Sequence, residues 1–206
     1  MNRPTKIYFS IPTAGEVEPI TALAAADIAR DPRVVYTQFI GRPSDHVRNA
    51  IVRAALQEEG TTHILMMDSD MKPPPHALEC LLELDVNMAT GIYPLRYVTQ
   101  NAVYITSNLQ SNGGFLSSFS NETGPFKVDA AGSGLILIKR EVFEELEWPW
   151  FNRVEGFTQD DTLGGDIYFS KRAKLSGYQY TADPRVICGH IKQLDLLALS
   201  QALKGI

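Results

Sequence analysis

The chain has 206 residues, of which 44% are hydrophobic, so it can form one domain with a substantial core. Its formal net charge of -5 gives no general attraction to nucleic acid or to anionic lipid. The two cysteines, Cys80 and Cys188, are too few and too far apart for a disulfide framework, so we expect a reducing, cytoplasmic environment.

The first third of the chain alternates between strand-like and helix-like patterns. Apolar strand-like runs are separated by segments with apolar residues on one helical face, in the order 7–11, 19–30, 34–39, 44–60 and 62–67. The first run is closed by Pro12, so it is far too short for a signal peptide or a membrane span. Because parallel strands need helical crossovers, the alternation predicts an α/β domain with a mostly parallel sheet flanked by helices.

Two carboxylates stand directly after the third predicted strand, in Asp68-Ser69-Asp70. The carboxyl ends of the strands in open α/β sheets face the ligand crevice. Neighbouring acidic side chains repel each other, and a hard divalent cation relieves this repulsion while it bridges to phosphate groups. The pair therefore suggests a nucleotide-phosphate site with a metal, and an acidic turn or a helix cap is the alternative, since such triplets arise often by chance.

The centre of the chain, around residues 95–130, is polar. Asn112-Gly113 lies between the apolar runs 102–105 and 115–116, which predicts a small β-hairpin or insert. A mobile lid is the other interpretation of this segment.

The remaining patterns continue the alternation of helices and strands. We expect helices over 76–84, 141–146, 166–175 and 194–203, and strands over 86–93, 126–128, 135–138, 178–180 and 186–188. No internal repeat or linker divides the chain, so residues 1–206 are predicted to form a single domain.

The order of these motifs resembles that of the GT-A glycosyltransferases, specifically the family 2-like enzymes with an Asp-x-Asp motif. The blocks that carry the resemblance span nearly the whole chain: Ile11-Pro12-Thr13, Arg48-Asn49, Asp68-Ser69-Asp70, Gly132-Ser133-Gly134, Lys139-Arg140-Glu141-Val142-Phe143, Gly165-Asp166 and His190. The resemblance implies one Rossmann-like GT-A domain that transfers a sugar from a nucleotide donor to a hydroxyl acceptor.

The resemblance also implies a divalent metal. In that family the acids of the motif hold the metal on the donor diphosphate, a role that falls here to Asp68 and Asp70. A late histidine completes the metal shell in several of these enzymes, and His190 has its position. Imidazole suits Mn2+ better than Mg2+, so we expect Mn2+ first and Mg2+ second. Without the resemblance, a lone histidine after a strand is ordinarily just hydrogen-bonded.

The catalytic base implied by the resemblance is Asp166. Family members that invert the anomeric centre often open this late helix with a Glu-Asp pair, and here the first position is Gly165. One carboxylate is enough for general-base catalysis if it reaches the acceptor hydroxyl. Asp161 is the second candidate, and either aspartate can instead be a charge favoured at a helix N-terminus. The resemblance favours inversion, and some relatives retain configuration.

We expect a UDP- or GDP-sugar to bind at the ends of the first strands, on the second helix and at the glycine stretch. The residues with this expected role are Pro12, Thr13, Arg48, Asn49, Asp68, Ser69, Asp70, Gly132 and Gly134. A loop threonine is commonly a cap and a helix arginine is commonly solvated, so both interpretations stay open. The glycines allow close approach of a ligand or form a tight turn.

Three other functions share parts of this pattern. A phosphatase of the haloacid dehalogenase type is disfavoured, because its motif lies on an early strand and carries Thr or Val where this chain has Lys72. A nucleotidyltransferase acting on a sugar phosphate shares the fold and metal, but its basic glycine-rich loop is missing after the first strand. A non-catalytic module that binds sugar nucleotides or carbohydrates is the third.

Overall fold

The computed structural model describes residues 4–94, 122–155 and 163–192, the segments 107–109 and 115–117, and residue 200. Its helices are α1 (Pro19–Ile28), α2 (Ser44–Gln57), α3 (Ala77–Glu83), α4 (Arg140–Glu145) and α5 (Gly165–Leu175). Its strands are β1 (Ile7–Thr13), β2 (Val34–Ile40), β3 (His63–Met67), β4 (Met71–Lys72), β5 (Met88–Ile92), β6 (Ser107–Leu109), β7 (Phe115–Ser117), β8 (Phe126–Val128), β9 (Leu135–Lys139), β10 (Tyr180–Ile187) and β11 (Gly189–His190).

Seven strands form the central sheet, in the order β2-β1-β3-β9-β5-β10-β8. Strand β1 pairs in parallel with β2 and β3, and β5 pairs in parallel with β10. Strand β9 is antiparallel to both of its neighbours, β3 and β5, and β8 is antiparallel to β10. All strands except β8 and β9 therefore run in one direction, and the expected mostly parallel sheet is confirmed.

Helices cover both faces of this sheet. One face packs against α2, α4 and α5, through buried residues that include Ile51, Phe143 and Phe169. The other face packs against α1 and α3, through buried residues that include Ala25 and Leu81. Helices on both faces of a mostly parallel sheet confirm the predicted Rossmann-like α/β architecture. Strands that are covered on both faces need apolar side chains on both faces, as these strands have.

The last long strand differs from our expectation. We expected two strands over 178–180 and 186–188, and the structure has the single strand β10. Pro184 lies in its middle, where the register against β5 shifts between Ala182 and Ile187. Proline cannot donate to a ladder, and an irregular register accommodates it without breaking the strand.

Pro12 was also expected to close the first strand, but β1 continues to Thr13. Beyond Ser10, β1 pairs only with β2, so no partner on the β3 side requires a donor from Pro12.

The predicted hairpin is confirmed, because β6 and β7 pair antiparallel as a separate two-stranded sheet. Its first arm is Ser107–Leu109, whereas the expected arm 102–105 and the expected helix 194–203 lie outside the described residues, apart from residue 200. In the described part of the chain, no helix has the length and apolar character needed to cross a membrane.

A two-residue ladder between β4 and β11 was not predicted. Met71 pairs with His190 and Lys72 pairs with Gly189, in antiparallel register. The backbone N–H of Ile191 donates to the carbonyl of Asp70 at 2.8 Å, which extends the ladder toward the acidic motif. This small sheet places His190 beside Asp70.

Candidate active site

A cleft of about 930 Å3 opens at the carboxyl edge of the sheet. The loops after β1, β2, β3 and β5 and the N-terminal turns of α2 and α5 line it. The predicted site residues that line this cleft are Pro12, Thr13, Arg48, Asp68, Ser69, Asp70, Gly132, Asp166 and His190. The structure therefore gathers the acidic motif, the late histidine and the preferred base around one cavity.

His190 and Asp70 form the closest pair of the expected metal ligands. Nδ1 of His190 lies 2.9 Å from the carbonyl oxygen of Pro94, and Nε2 lies 3.2 Å from Oδ2 of Asp70. A carbonyl only accepts, so Nδ1 carries a proton, and Nε2 is the nitrogen that faces the carboxylate of Asp70. An imidazole nitrogen and a carboxylate oxygen at this separation can share a proton or bind a cation.

Asp68 makes a different contact. Its Oδ1 accepts a hydrogen bond from Nη2 of Arg48 at 2.6 Å, and Arg48 is 9% exposed. Burial opposes the charge on the guanidinium, but the nearby carboxylates of Asp68 and Asp166 outweigh it and raise the pKa of Arg48. Arg48 is thus the buried counter-ion of Asp68, whereas Nζ of Lys192 lies 3.5 Å from Oδ2 of Asp70.

The expected metal ligands are only partly assembled. Among the residues that the structure describes, no three His, Cys, Asp or Glu side chains are grouped so that they could hold one metal ion. Asp70 and His190 meet, whereas Asp68 lines the same cleft with its carboxylate on Arg48.

Asp166 lies in the first turn of α5 and faces the cleft. Its Oδ1 accepts a hydrogen bond from the backbone N–H of Ile167 at 2.9 Å. Burial raises the pKa of Asp166, and the positive charge of Arg48 offsets part of that rise. A carboxylate with a raised pKa is a better proton acceptor than an exposed one. Asp161, the second candidate base, lies outside the described residues.

Tyr93 is a cleft residue that the sequence analysis missed. It follows β5, and its ring meets that of His190 edge to face at a centroid distance of 6.0 Å. The N–H of Gly134 donates to the Tyr93 hydroxyl at 2.9 Å. Burial raises the pKa of Tyr93 well above its usual value, so the hydroxyl stays protonated. The position of Tyr93 after a parallel strand was the signal that could have identified it.

The glycine stretch makes room for this ring. A Cβ atom on Gly134 would lie 2.6 Å from Cζ of Tyr93, and one on Gly132 would meet the Tyr93 hydroxyl. Gly132 lines the cleft, whereas Gly134 does not. The space that the glycines leave open is therefore occupied by a tyrosine side chain.

Asn49 does not line the cleft. Its Oδ1 accepts hydrogen bonds from the backbone N–H groups of Trp150 and Phe151 at 3.1 Å, and its Nδ2 donates to the Phe151 carbonyl at 2.6 Å. The side chain is buried, and these contacts engage both its amide oxygen and its amide nitrogen. We expected Asn49 to contact the nucleotide, and the structure places it under the site as a support for the segment after α4.

The hydroxyl of Thr13 is engaged in its own loop. It donates to the carbonyl of Glu16 at 2.5 Å and accepts from the N–H of Gly15 at 3.0 Å. Thr13 thus shapes the loop after β1, as a threonine in a turn commonly does.

Comparison with known proteins shows similarity only at the level of three-dimensional structure. No family model matches the chain, and no curated protein matches it. The crystal structure of A197 from STIV is 20% identical, with 92% of this chain and 87% of that chain covered and a TM-score of 0.64. The crystal structure of GalNAc-T7 with UDP, GalNAc and Mn2+ is 13% identical, with 93% and 44% covered and a TM-score of 0.58.

The chain thus spans less than half the length of the GalNAc-T7 chain. At these identities the likeness concerns the fold, which is that of a Rossmann-like GT-A domain.

Proposed function

We propose that this protein is a metal-dependent glycosyltransferase that moves a sugar from a UDP- or GDP-sugar to a hydroxyl acceptor. The observation that carries the proposal is the cleft, in which Asp68, Asp70, Asp166 and His190 lie together at the carboxyl edge of the sheet. The GalNAc-T7 structure contains UDP, GalNAc and Mn2+ on a similar fold, which supports this choice of donor and metal.

The residues of the cleft fit a divalent cation. Carboxylate oxygens and a neutral imidazole suit Mn2+, and Asp70 and His190 already face each other with two acceptor atoms. The Pro94 carbonyl holds the tautomer that leaves Nε2 available. Asp68 is the third ligand that we propose, and it would exchange its ion pair with Arg48 for the cation. When bound, Mn2+ or Mg2+ neutralises the charge that develops on the departing diphosphate.

Asp166 is the proposed general base. The acceptor hydroxyl loses its proton to the carboxylate of Asp166 as its oxygen attacks the anomeric carbon. The bond from that carbon to the phosphate oxygen breaks, and the nucleoside diphosphate leaves. The N–H of Ile167 orients the carboxylate through Oδ1. Attack from the face opposite the leaving group inverts the anomeric centre.

The test is nucleoside diphosphate release from UDP-glucose, UDP-N-acetylglucosamine, UDP-galactose and GDP-mannose, with and without Mn2+. We expect release that depends on Mn2+ and that is lost in Asp70→Asn. Asp27→Asn is the matched control, because Asp27 is exposed on α1 in an ion pair with Arg30. Mn2+-dependent binding without release would support a non-catalytic binding module. Absence of binding to all four donors would contradict the proposal.

A further inference from the structure

Asp45 is a cleft residue with no role in the chemistry described above. It lies in the first turn of α2, is 8% exposed, and lines the cleft. In the described part of the chain, its carboxylate accepts no hydrogen bond and forms no ion pair. The charge of Arg48 interacts with it, but the guanidinium of Arg48 forms its ion pair with Asp68.

The carboxylate of Asp45 lies directly over the backbone of Gly165. A Cβ atom at Gly165 would be 2.6 Å from Cγ of Asp45 and 3.1 Å from its Oδ2. Asp166 is the next residue along α5 and also faces the cleft. Carboxylates from two different helices therefore lie at the first turn of α5, and the charge of Arg48 interacts with both.

A carboxylate that is more than nine-tenths buried and accepts no hydrogen bond from the described protein atoms depends on the cleft for its donors. The N-terminus of α2 and the charge of Arg48 offset part of this cost. Neither satisfies the hydrogen-bonding capacity of the oxygens, since an ionised carboxylate has about four acceptor sites. The open side of Asp45 is the cleft, so a ligand is the natural source of donors.

The chemistry of that ligand is restricted. The negative charges of Asp45 and Asp166 repel a phosphate group that no cation accompanies, so a diphosphate is a poor partner for Asp45. A neutral hydroxyl group can donate a hydrogen bond to a carboxylate without this repulsion. We propose that Asp45 is a substrate-binding residue whose carboxylate accepts hydrogen bonds from hydroxyl groups of a sugar. This inference rests on the proposed function and extends it, and the sugar is that of the donor or that of the acceptor.

The experiment measures the affinities of UDP-glucose, UDP-N-acetylglucosamine, UDP-galactose and GDP-mannose, and of UDP and GDP, by calorimetry with Mn2+. The proteins compared are wild type, Asp45→Asn, Asp45→Ala and the control Asp27→Asn. If Asp45 binds the donor sugar, both Asp45 variants lose about tenfold or more in affinity for the sugar nucleotide and keep their affinity for UDP or GDP.

If Asp45 binds the acceptor sugar, donor affinity is unchanged. Transfer to glucose, galactose or mannose, added as the acceptor, then falls by about tenfold or more relative to hydrolysis of the donor. Gly165→Ala tests the same contact from α5. Its methyl group displaces the carboxylate of Asp45, so we expect the same selective loss of affinity or of transfer. This variant and Asp45→Asn provide the comparison if Asp45→Ala does not fold.

Three results would overturn the inference. A lower melting temperature with unchanged affinity and transfer would show that Asp45 is only a helix-end charge. Equal losses for UDP and for its sugar nucleotides would place Asp45 at the nucleotide. A wild-type protein that binds none of the four donors would remove the proposed function and this inference together. In the first two results wild type still binds, so they leave the proposed function intact.

Discussion

Substitution of Gly134 by alanine tests the packing of Tyr93 against the glycine stretch. The new methyl carbon would lie 2.6, 2.9 and 2.9 Å from the ring atoms Cζ, Cε1 and Cε2 of Tyr93. These distances are well inside carbon–carbon contact, and the ring is only 4% exposed, so most of its surface already packs against neighbouring atoms. The ring or the backbone must therefore move.

Overpacking of this kind costs roughly 1–3 kcal/mol, and loss of the hydrogen bond from Gly134 to the Tyr93 hydroxyl adds about 1 kcal/mol. Alanine in place of glycine increases the free energy of unfolding by about 0.4–1 kcal/mol, because it lowers the conformational entropy of the unfolded chain. We expect Gly134→Ala to lower the free energy of unfolding by about 2–3 kcal/mol, as the balance of these terms. For a chain of this size that is a decrease of roughly 4–12 °C in melting temperature, measured by thermal and urea unfolding.

Gly124→Ala is the matched control, because a Cβ atom at Gly124 would have no neighbour within 4 Å. We expect a change within about 0.5 kcal/mol there. In a Tyr93→Ala background the overlap disappears, so Gly134→Ala should cost little. The packing argument is refuted if Gly134→Ala is as mild as Gly124→Ala, or if its cost is the same with and without the Tyr93 ring.

Three further predictions concern the site. His190→Ala should weaken Mn2+ dependence and turnover together, and an unchanged Mn2+ titration would remove His190 from the metal site. Burial raises the pKa of Asp166, so the folded state binds the proton of this carboxyl group more tightly than the unfolded state does. The stability that comes from this proton is fully present below the ordinary pKa of 3.8. It is lost as the pH rises through the raised pKa of the folded state. Asp166→Asn should therefore abolish transfer and increase stability relative to wild type more at pH 7 than at pH 3.5; an equal change in urea unfolding at both pH values would contradict this. Asn49→Ala should lower the free energy of unfolding by about 2–4 kcal/mol, since buried N–H groups of Trp150 and Phe151 lose their acceptor, and should leave UDP affinity unchanged in calorimetry.

Local patterns were sufficient to predict most elements of the fold. The alternation of apolar runs and helical faces predicted β1 to β3 with α1 and α2, and the apolar run before Asp68 indicated where the sheet would present charge. The insertion of antiparallel β9 between β3 and β5 was not predictable in this way, because strand order depends on contacts between residues about 70 positions apart.

The site was predictable to the extent that its residues follow strand ends or begin a helix. Asp68, Asp70, Asp166 and His190 were identified as candidates, whereas Tyr93 and Asp45 were not. Their roles depend on contacts with Gly134 and Gly165 that no local pattern encodes. For Asn49 the prediction was wrong in the other direction. Its place in the motif, next to Arg48, predicted a contact with the nucleotide, whereas its side chain donates to the carbonyl of Phe151.

The ladder between β4 and β11 has a consequence for how the protein acquires its activity. It joins Asp70 to His190 across 120 positions of the chain, and closing so long a loop costs entropy that only the surrounding sheet can offset. A growing chain that has completed β3 carries the two aspartates long before it can present the imidazole. If the protein binds Mn2+ as proposed, full cation affinity is gained only when the final strands have docked, and Mn2+ uptake during refolding would report the completion of the native topology.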